Sequence, residues 1–592
     1  MKDASTSRTE PKMRIACIAI HAVPLAAFFT LLGATLGNRT AMETYFLKWS
    51  YYFILALTIW WTVSGFRYLC SKQISLTSLL KKYWPGLVIA LLMTLIVASS
   101  VPMGFKTLSD ETNLVSVSKS MLESKTCRNV TMTKIYYGQP HTVRFSVPKR
   151  PLVFPFLIHL GHLVLGYSFK NAFFINLSVL FILLVGVYIL FTRLADATAA
   201  VATMLFVAST PLIPILATSA GFDLINSVFM LFVLVLVYFH LKQGSRRSFS
   251  FLWLSLLIFA NIRYESALFG LVIVLLLLAM RGIEGKHIRS CSLALCSTPL
   301  ILLPTIWQRI ITVKSTVSSD SATFSLNHLL SHGGVFLKSL LDFNFYLPFG
   351  NILTAVSLLI YAYLLWWHIK NHRHLSVEHK KTAGIFAAVF LLNVSFYLSY
   401  FWGRYDHPSS ARFFVFMSIL MALGPVWLRY FRPRWLPSPF LMGLSIVALV
   451  TYYPVAINGT FMDTLTLNRL TEHTMAYLEP YEKSNVMAIT ERPGQLVAVG
   501  YGAVNFRYAR KAAFRDEVRR HLYPHVVVFQ KISYKNDLPT PGTLMDIELP
   551  LVTMQEVQVT STYYLRISEV AHAVTDRCQQ RLRPETPPPA RK

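Results

Sequence analysis

The chain has 592 residues, 54% of them hydrophobic and only 14% charged. Soluble globular domains carry about a quarter charged residues, so this composition excludes that class and points to a polytopic membrane protein. The formal net charge of +28 arises from Lys and Arg in short clusters between apolar segments, not from one continuous patch, which argues against nucleic acid as a partner.

Apolar segments that can span a bilayer fall first at about 15–36, 50–69 and 85–101, and each must be helical because lipid offers the backbone no partners. The first lacks a small-x-small cleavage site and reads as a retained helix. Lys2, Arg8, Lys12 and Arg14 precede it, while Arg67, Lys72, Lys81 and Lys82 lie between the second and third. The positive-inside rule puts both clusters in the cytoplasm and the polar stretch 102–155 outside. That stretch carries Ser109-Asp110-Glu111-Thr112-Asn113 near its start and Lys149-Arg150-Pro151-Leu152 near its end, a candidate base and a candidate phosphate clamp at one membrane face. The six cysteines form no CxxC; Cys127 and Cys578 share the external side, with two thiols a simpler reading than a disulfide.

From Pro155 to Tyr167 the apolar run is short and contains His159, Gly161 and His162, so it fits a juxtamembrane or re-entrant helix. Further spans are expected at about 171–192, 196–217, 221–241, 249–262, 264–280, 291–312, 349–369, 382–402, 412–428 and 438–457. Arg263 and Glu265 interrupt the series, and a hairpin with Arg263 at the outer face keeps every later basic cluster on one side. The topology therefore has about thirteen spans, a cytoplasmic N-terminus and an external C-terminal domain. In that domain, Val486–Thr490, Val526–Phe529 and Tyr563–Ile567 read as strands, Ala509–His521 as an amphipathic stretch and Arg492-Pro493-Gly494 as a turn, giving a small α/β or α+β fold. The expected division is a helical hairpin over 1–84, a transmembrane region over 85–457, an external domain over 458–580 and a disordered, basic, Pro-rich tail over 581–592.

Several of these motifs occur together in one known group of enzymes. Asp110-Glu111 follows a transmembrane helix, and Met121-Leu122-Glu123-Ser124 comes some ten residues later. Lys149-Arg150-Pro151-Leu152 leads into an apolar helix ending at Gly166, and Asp223 follows Ser209-Thr210-Pro211. The pattern, over about 85–457, resembles the GT-C glycosyltransferase superfamily, and within it the branch of protein O-mannosyltransferases and lipid A aminoarabinose transferases. The resemblance implies an all-α polytopic membrane fold whose loop 102–155 is catalytic. It also implies an inverting transfer of a sugar from a polyprenyl-phosphate carrier to a lipid, protein or cell-wall polymer acceptor. The setting would be the external face of a membrane, a bacterial inner membrane more readily than the endoplasmic reticulum. No nucleotide cofactor is required, and a divalent cation is left open because some GT-C enzymes use one. Two departures stand out. Three helices precede the acidic loop where the family usually has one, so the first two read as an added hairpin; and the family's Lys-Pro-Pro-Leu appears as Lys-Arg-Pro-Leu.

By the same resemblance Asp110 is the general base, with Glu111 orienting it or binding a sugar hydroxyl. Lys149 and Arg150, with Arg263, Arg404 or Arg412, would meet the donor phosphate, and Asp223 would position the sugar or hold a cation. Plainer readings compete: a helix-capping acidic pair, headgroup anchoring of the basic residues, and a local Arg404–Asp406 pair. His159 and His162 lie one turn apart but have no carboxylate or cysteine at matching spacing, so they read as packing residues. The rival functions are a transporter or lipid flippase without glycosyl transfer, and a scaffold that binds a partner through its external domain. A transporter would place ionisable groups near mid-membrane in broken helices, whereas these acids cluster at one face.

Overall fold

The computed structural model describes residues 9–72, 75–312, 323–340, 342, 352–431, 435–457, 462–535, 537–540 and 548–571, so Cys578 and the tail lie outside the described residues. Three long helices come first, α1 (Thr9–Thr35), α2 (Arg39–Ser71) and α3 (Leu76–Ser100). The polar stretch then folds as α4 (Leu108–Ser124), a hairpin of β1 (Asn129–Tyr136) and β2 (Gln139–Ser146), and α5 (Val153–Leu165). The helical region continues through α6 (Asn171–Leu194), α7 (Ala197–Ser209), α8 (Leu212–Ala217), α9 (Asp223–Gln243), α10 (Arg246–Ala260) and α11 (Tyr264–Ala279). It is completed by α12 (Gly285–Ser290), α13 (Ser292–Thr312), α14 (Leu326–Leu340), α15 (Ile352–Lys370), α16 (Val377–Ser399), α17 (Pro408–Ala411), α18 (Val415–Phe431) and α19 (Ser438–Ile457). After α20 (Met462–Leu478) come β3 (Val486–Thr490), α21 (Pro493–Val499), β4 (Gly502–Val504), α22 (Phe506–Ala509), α23 (Ala512–Arg519), β5 (His525–Ser533), β6 (Leu551–Gln558) and β7 (Tyr563–Val570).

Among the described residues, 8 helices are long and apolar enough to cross a membrane, and the protein is a multi-pass membrane protein. The other expected spans correspond to α1, α7 with α8, α10, α11 and α15. The span expected at 196–217 is broken because Pro211 has no N–H to continue α7 and starts α8 instead. Pro493 likewise opens a helix where a turn was expected, since a proline costs nothing in the first helical turn.

The C-terminal strands form a sheet of order β2-β1-β4-β3-β5-β7-β6, with β3 parallel to β4 and β5 and the other pairs antiparallel. Two of its strands come from the 102–155 stretch, through the pairing of Thr133 with Ala503. The C-terminal domain is thus built from two distant pieces of chain, whereas the expected division began it at residue 458. An ion pair fastens the pieces: Lys134 Nζ lies 2.7 Å from Glu517, and the Tyr136 and Tyr523 hydroxyls donate to the same carboxylate at 2.6 and 2.9 Å. Helix α21 rests on α4, where Lys119 Nζ donates to the Val497 carbonyl at 3.0 Å.

The first two helices are packed into the core and do not stand apart from it. The Leu47 carbonyl accepts the Cys127 N–H at 2.9 Å, and the Trp307 indole donates to Thr35 Oγ1 at 3.0 Å. His159 meets the Tyr51 hydroxyl at 3.2 Å, and His162 lies between Ser118 Oγ (3.1 Å) and Asn171 Nδ2 (2.9 Å), so both histidines are packing residues.

Candidate active site

The site is assembled at the start of α4. Asp110 and Glu111 occupy its first turn, where exposed N–H groups favour negative charge, and the two carboxylates do different things. Glu111 is buried and reaches back along the chain. Its Oε1 accepts the Thr107 N–H at 2.9 Å, and its Oε2 accepts the N–H groups of Lys106 and Ala220, each at 3.0 Å. The expected roles for Glu111, orienting Asp110 or binding a sugar hydroxyl, are not what these contacts show. They stitch the beginning of α4 to the loop before α9. Asn176 pins that loop by donating to the carbonyls of Ser219 (2.8 Å) and Gly221 (2.7 Å). A Cβ at Gly221 would lie 3.2 Å from Asp223 Oδ2, so a side chain there would push the carboxylate by a few tenths of an ångström.

Burial pushes the Glu111 carboxyl up to about 7, against the lowering effect of its three backbone donors. A carboxyl whose folded pKa exceeds its unfolded value contributes stability below the unfolded value and loses it as pH rises through the folded one. The melting temperature in detergent is therefore expected to fall between about pH 5 and pH 8, and Glu111→Gln to flatten that slope. An unchanged slope in the variant would refute the assignment.

Asp110 faces two guanidiniums. Arg150 Nη2 lies 2.5 Å from Oδ1, and Arg412 Nη2 lies 2.8 Å from Oδ2. Burial raises its pKa, but Arg412 and Arg150 outweigh that and hold the carboxyl down at about 2. Arg412 also reaches Asp223 at 3.5 Å, and Asp223 pairs in turn with Arg263. Arg263 contacts Glu265 at 2.5 Å, and Glu265 accepts the Tyr397 hydroxyl at 2.8 Å. The result is an alternating row, Arg150–Asp110–Arg412–Asp223–Arg263–Glu265, in which each charge answers its neighbour. Phe222, Phe413 and Tyr397 surround the Arg263 guanidinium, with ring centroids 4.8, 5.2 and 5.9 Å away.

The loop leading to Arg150 is fixed from α13. Gln308 Nε2 donates to the carbonyls of both Pro148 (2.8 Å) and Arg150 (2.7 Å). Lys149, between them, is exposed. The Tyr264 ring lies between two cations, with Arg309 4.2 Å and Arg150 5.8 Å from its centroid. Arg309 is exposed and presents a guanidinium beside the row of charges.

Five of the residues singled out from the sequence, Asp110, Arg150, Asp223, Arg263 and Arg412, thus meet in one network. Arg404 is held differently: it makes two bonds to Asp406, at 3.1 and 2.7 Å, on an exposed turn. Of the two sequence readings of Arg404, these contacts match the local pair. Sequence reasoning missed Arg309, Tyr264, Gln308 and Tyr397, and took Glu265 only as an interruption of a span. The signal for Glu265 was present in Arg263-Tyr264-Glu265, because charge inside an apolar run needs a partner or a wet cavity. Among the described residues, no three His, Cys, Asp or Glu side chains gather as a metal site. The carboxylates of Asp110 and Glu111 are taken up by guanidiniums and backbone N–H groups.

Residues 149–307, which include Lys149, Arg150, Asp223, Arg263 and Glu265, match the model of the dolichyl-phosphate-mannose-protein mannosyltransferase family. The resemblance read from the sequence is borne out over these residues, where the chain is similar to that family. No curated protein sequence matches the chain. Among solved structures it is similar to ArnT from Cupriavidus metallidurans in the apo state, with TM-score 0.47 and 11% identity over 84% of this chain and 99% of that one. The same protein bound to undecaprenyl phosphate gives TM-score 0.46 and 13% identity over 83% and 99%. An oligosaccharyltransferase of Archaeoglobus fulgidus, in complex with Zn and sulfate, gives 0.43 and 12% over 75% and 67%.

Proposed function

We propose that the protein is a glycosyltransferase that moves a sugar from a polyprenyl-phosphate carrier to an acceptor on the external face of the membrane, with inversion at the anomeric carbon. The observation that carries the reading is Asp110 held between Arg150 and Arg412, with the exposed cations Lys149 and Arg309 close by. In the reaction the acceptor hydroxyl oxygen bonds to the anomeric carbon as the carbon–oxygen bond to phosphate breaks, and the phosphate leaves with the electron pair. Asp110 takes the hydroxyl proton from the face opposite the phosphate.

A carboxylate held near pKa 2 is a poor base. The donor phosphate changes that, because it competes for the same guanidiniums. As Arg150 turns toward phosphate oxygen, the hold on Asp110 weakens and its basicity rises at the moment a base is needed. Lys149 and Arg309 add positive charge at the same edge, and Tyr264 keeps Arg309 next to Arg150.

The test is direct. Purified protein is incubated with labelled polyprenyl-phosphate sugars and envelope fractions, and labelled product is counted. Translocation of the carrier lipid without transfer would overturn the proposal in favour of a flippase. Arg309→Gln is expected to raise KM for the donor about tenfold while kcat stays within about threefold, the pattern of an interaction made in both ground and transition states. An unchanged KM would remove Arg309 from the phosphate site.

A further inference from the structure

Most cations of this chain lie between apolar segments, where membrane topology accounts for them. The run from Arg507 to Arg520 is different. It carries Arg507, Arg510, Lys511, Arg515, Arg519 and Arg520 against only Asp516 and Glu517, within the outer domain. Phe506, Ala509, Phe514 and Val518 are buried against one face of the sheet, which turns Arg507, Arg510, Lys511, Arg519 and Arg520 outward, all of them exposed. The other face of the sheet is covered by α20 and α21, and Ala498 of α21 belongs to the same apolar cluster as the membrane helices. That face is therefore the one nearer the bilayer, and the α22–α23 face points away from it.

The local acids do little to neutralise this outward face. Glu517 is drawn beneath it by Lys134, Tyr136 and Tyr523. Arg515 pairs with Glu548, and Asp516 lies 3.6 Å from Arg519. Lys511 sits 4.7 Å above the Tyr508 ring. The cations run from the start of α22 to just past the end of α23, itself an eight-residue helix about 12 Å long. A single phosphate would meet only one or two of them, whereas a strand with charge at intervals would meet them all.

We propose that the outward face of α22 and α23 docks an extended anionic glycan, one carrying carboxylate or phosphate groups along its length. The proposal rests on the proposed transfer at the external face and on the expected placement of the C-terminal domain on that same side. It gives the outer domain a purpose, because holding a polymer near the site raises its effective concentration there. Lipid headgroups are disfavoured as the ligand because the face is turned from the bilayer.

The full-length protein in nanodiscs of neutral lipid is titrated with fluorescent polygalacturonate and, separately, with neutral dextran of matched length. Polygalacturonate is expected to bind, to weaken at least about tenfold between about 50 and 200 mM salt, and to lose about tenfold in affinity in the combined Arg507→Gln, Arg510→Gln, Lys511→Gln, Arg520→Gln variant. Transfer to a short soluble acceptor is expected to be unchanged in that variant, which shows it is folded. Equal binding by variant and wild type, equal binding of dextran, or capture of anionic vesicles through these residues would each overturn the proposal. Binding is read without catalysis, so failure of the transferase assay would leave this result standing on its own.

Discussion

Asp110→Asn is expected to abolish sugar transfer almost completely, by about two to four orders of magnitude in kcat, while binding the donor as tightly as wild type or more tightly. The amide cannot accept the acceptor's proton, which removes general-base catalysis. It also removes the anion that occupies Arg150 and Arg412, leaving both guanidiniums for the donor phosphate. A carboxylate that served only the fold would lose binding and turnover together, so the opposite movement of the two is the diagnostic. Donor affinity is measured with a labelled polyprenyl phosphate, and turnover with labelled sugar under saturating donor. Retention of more than about a tenth of wild-type kcat would rule Asp110 out as the base. The pH profile adds a check. Because Asp110 in the free protein is held at about 2, kcat/KM should show no acid limb from this group until well below pH 4.

Arg263→Met should have the largest effect on stability, a loss of about 3–5 kcal/mol seen as a lowered melting temperature or failure to accumulate in the membrane. Its side chain is 4% exposed, and it stands between Asp223 and Glu265. Removing the guanidinium leaves two buried carboxylates facing each other with only Arg412 in reach of one of them. Asp223→Asn added to Arg263→Met should recover part of the loss, because the second change relieves the repulsion that the first creates. A single variant that melts with wild type would mean that the row of charges is not holding the helices together.

Much of this arrangement was legible in the sequence. Asp110 and Arg150 stood out through the motifs they sit in, Asp223 as a carboxylate at the end of a span, where isolated charge is costly, and Arg263 and Arg412 as cations at the outer face. The partners themselves were less visible. Arg412 could be placed at the outer face but not matched to Asp110, 302 residues away, because only the helix packing decides which charges meet. Arg309 was hidden as an ordinary basic residue at a helix end. Glu111 looked like a twin of Asp110, and only burial against backbone N–H groups separates the two. The hairpin of β1 and β2 escaped notice because β2 is exposed at nearly every position and shows no apolar alternation.

That hairpin has a consequence for biogenesis. Thr133 finds its backbone and side-chain partners at Ala503 and Tyr501, the latter 368 residues further along the chain. A ribosome delivering this protein to the membrane inserts every helix that bears the row of charges before the last strands exist. Until they arrive, the strand following the Asp110 helix has an open edge, so competence for chemistry is acquired at the close of synthesis, and a nascent chain lacking β4 should be inserted yet idle.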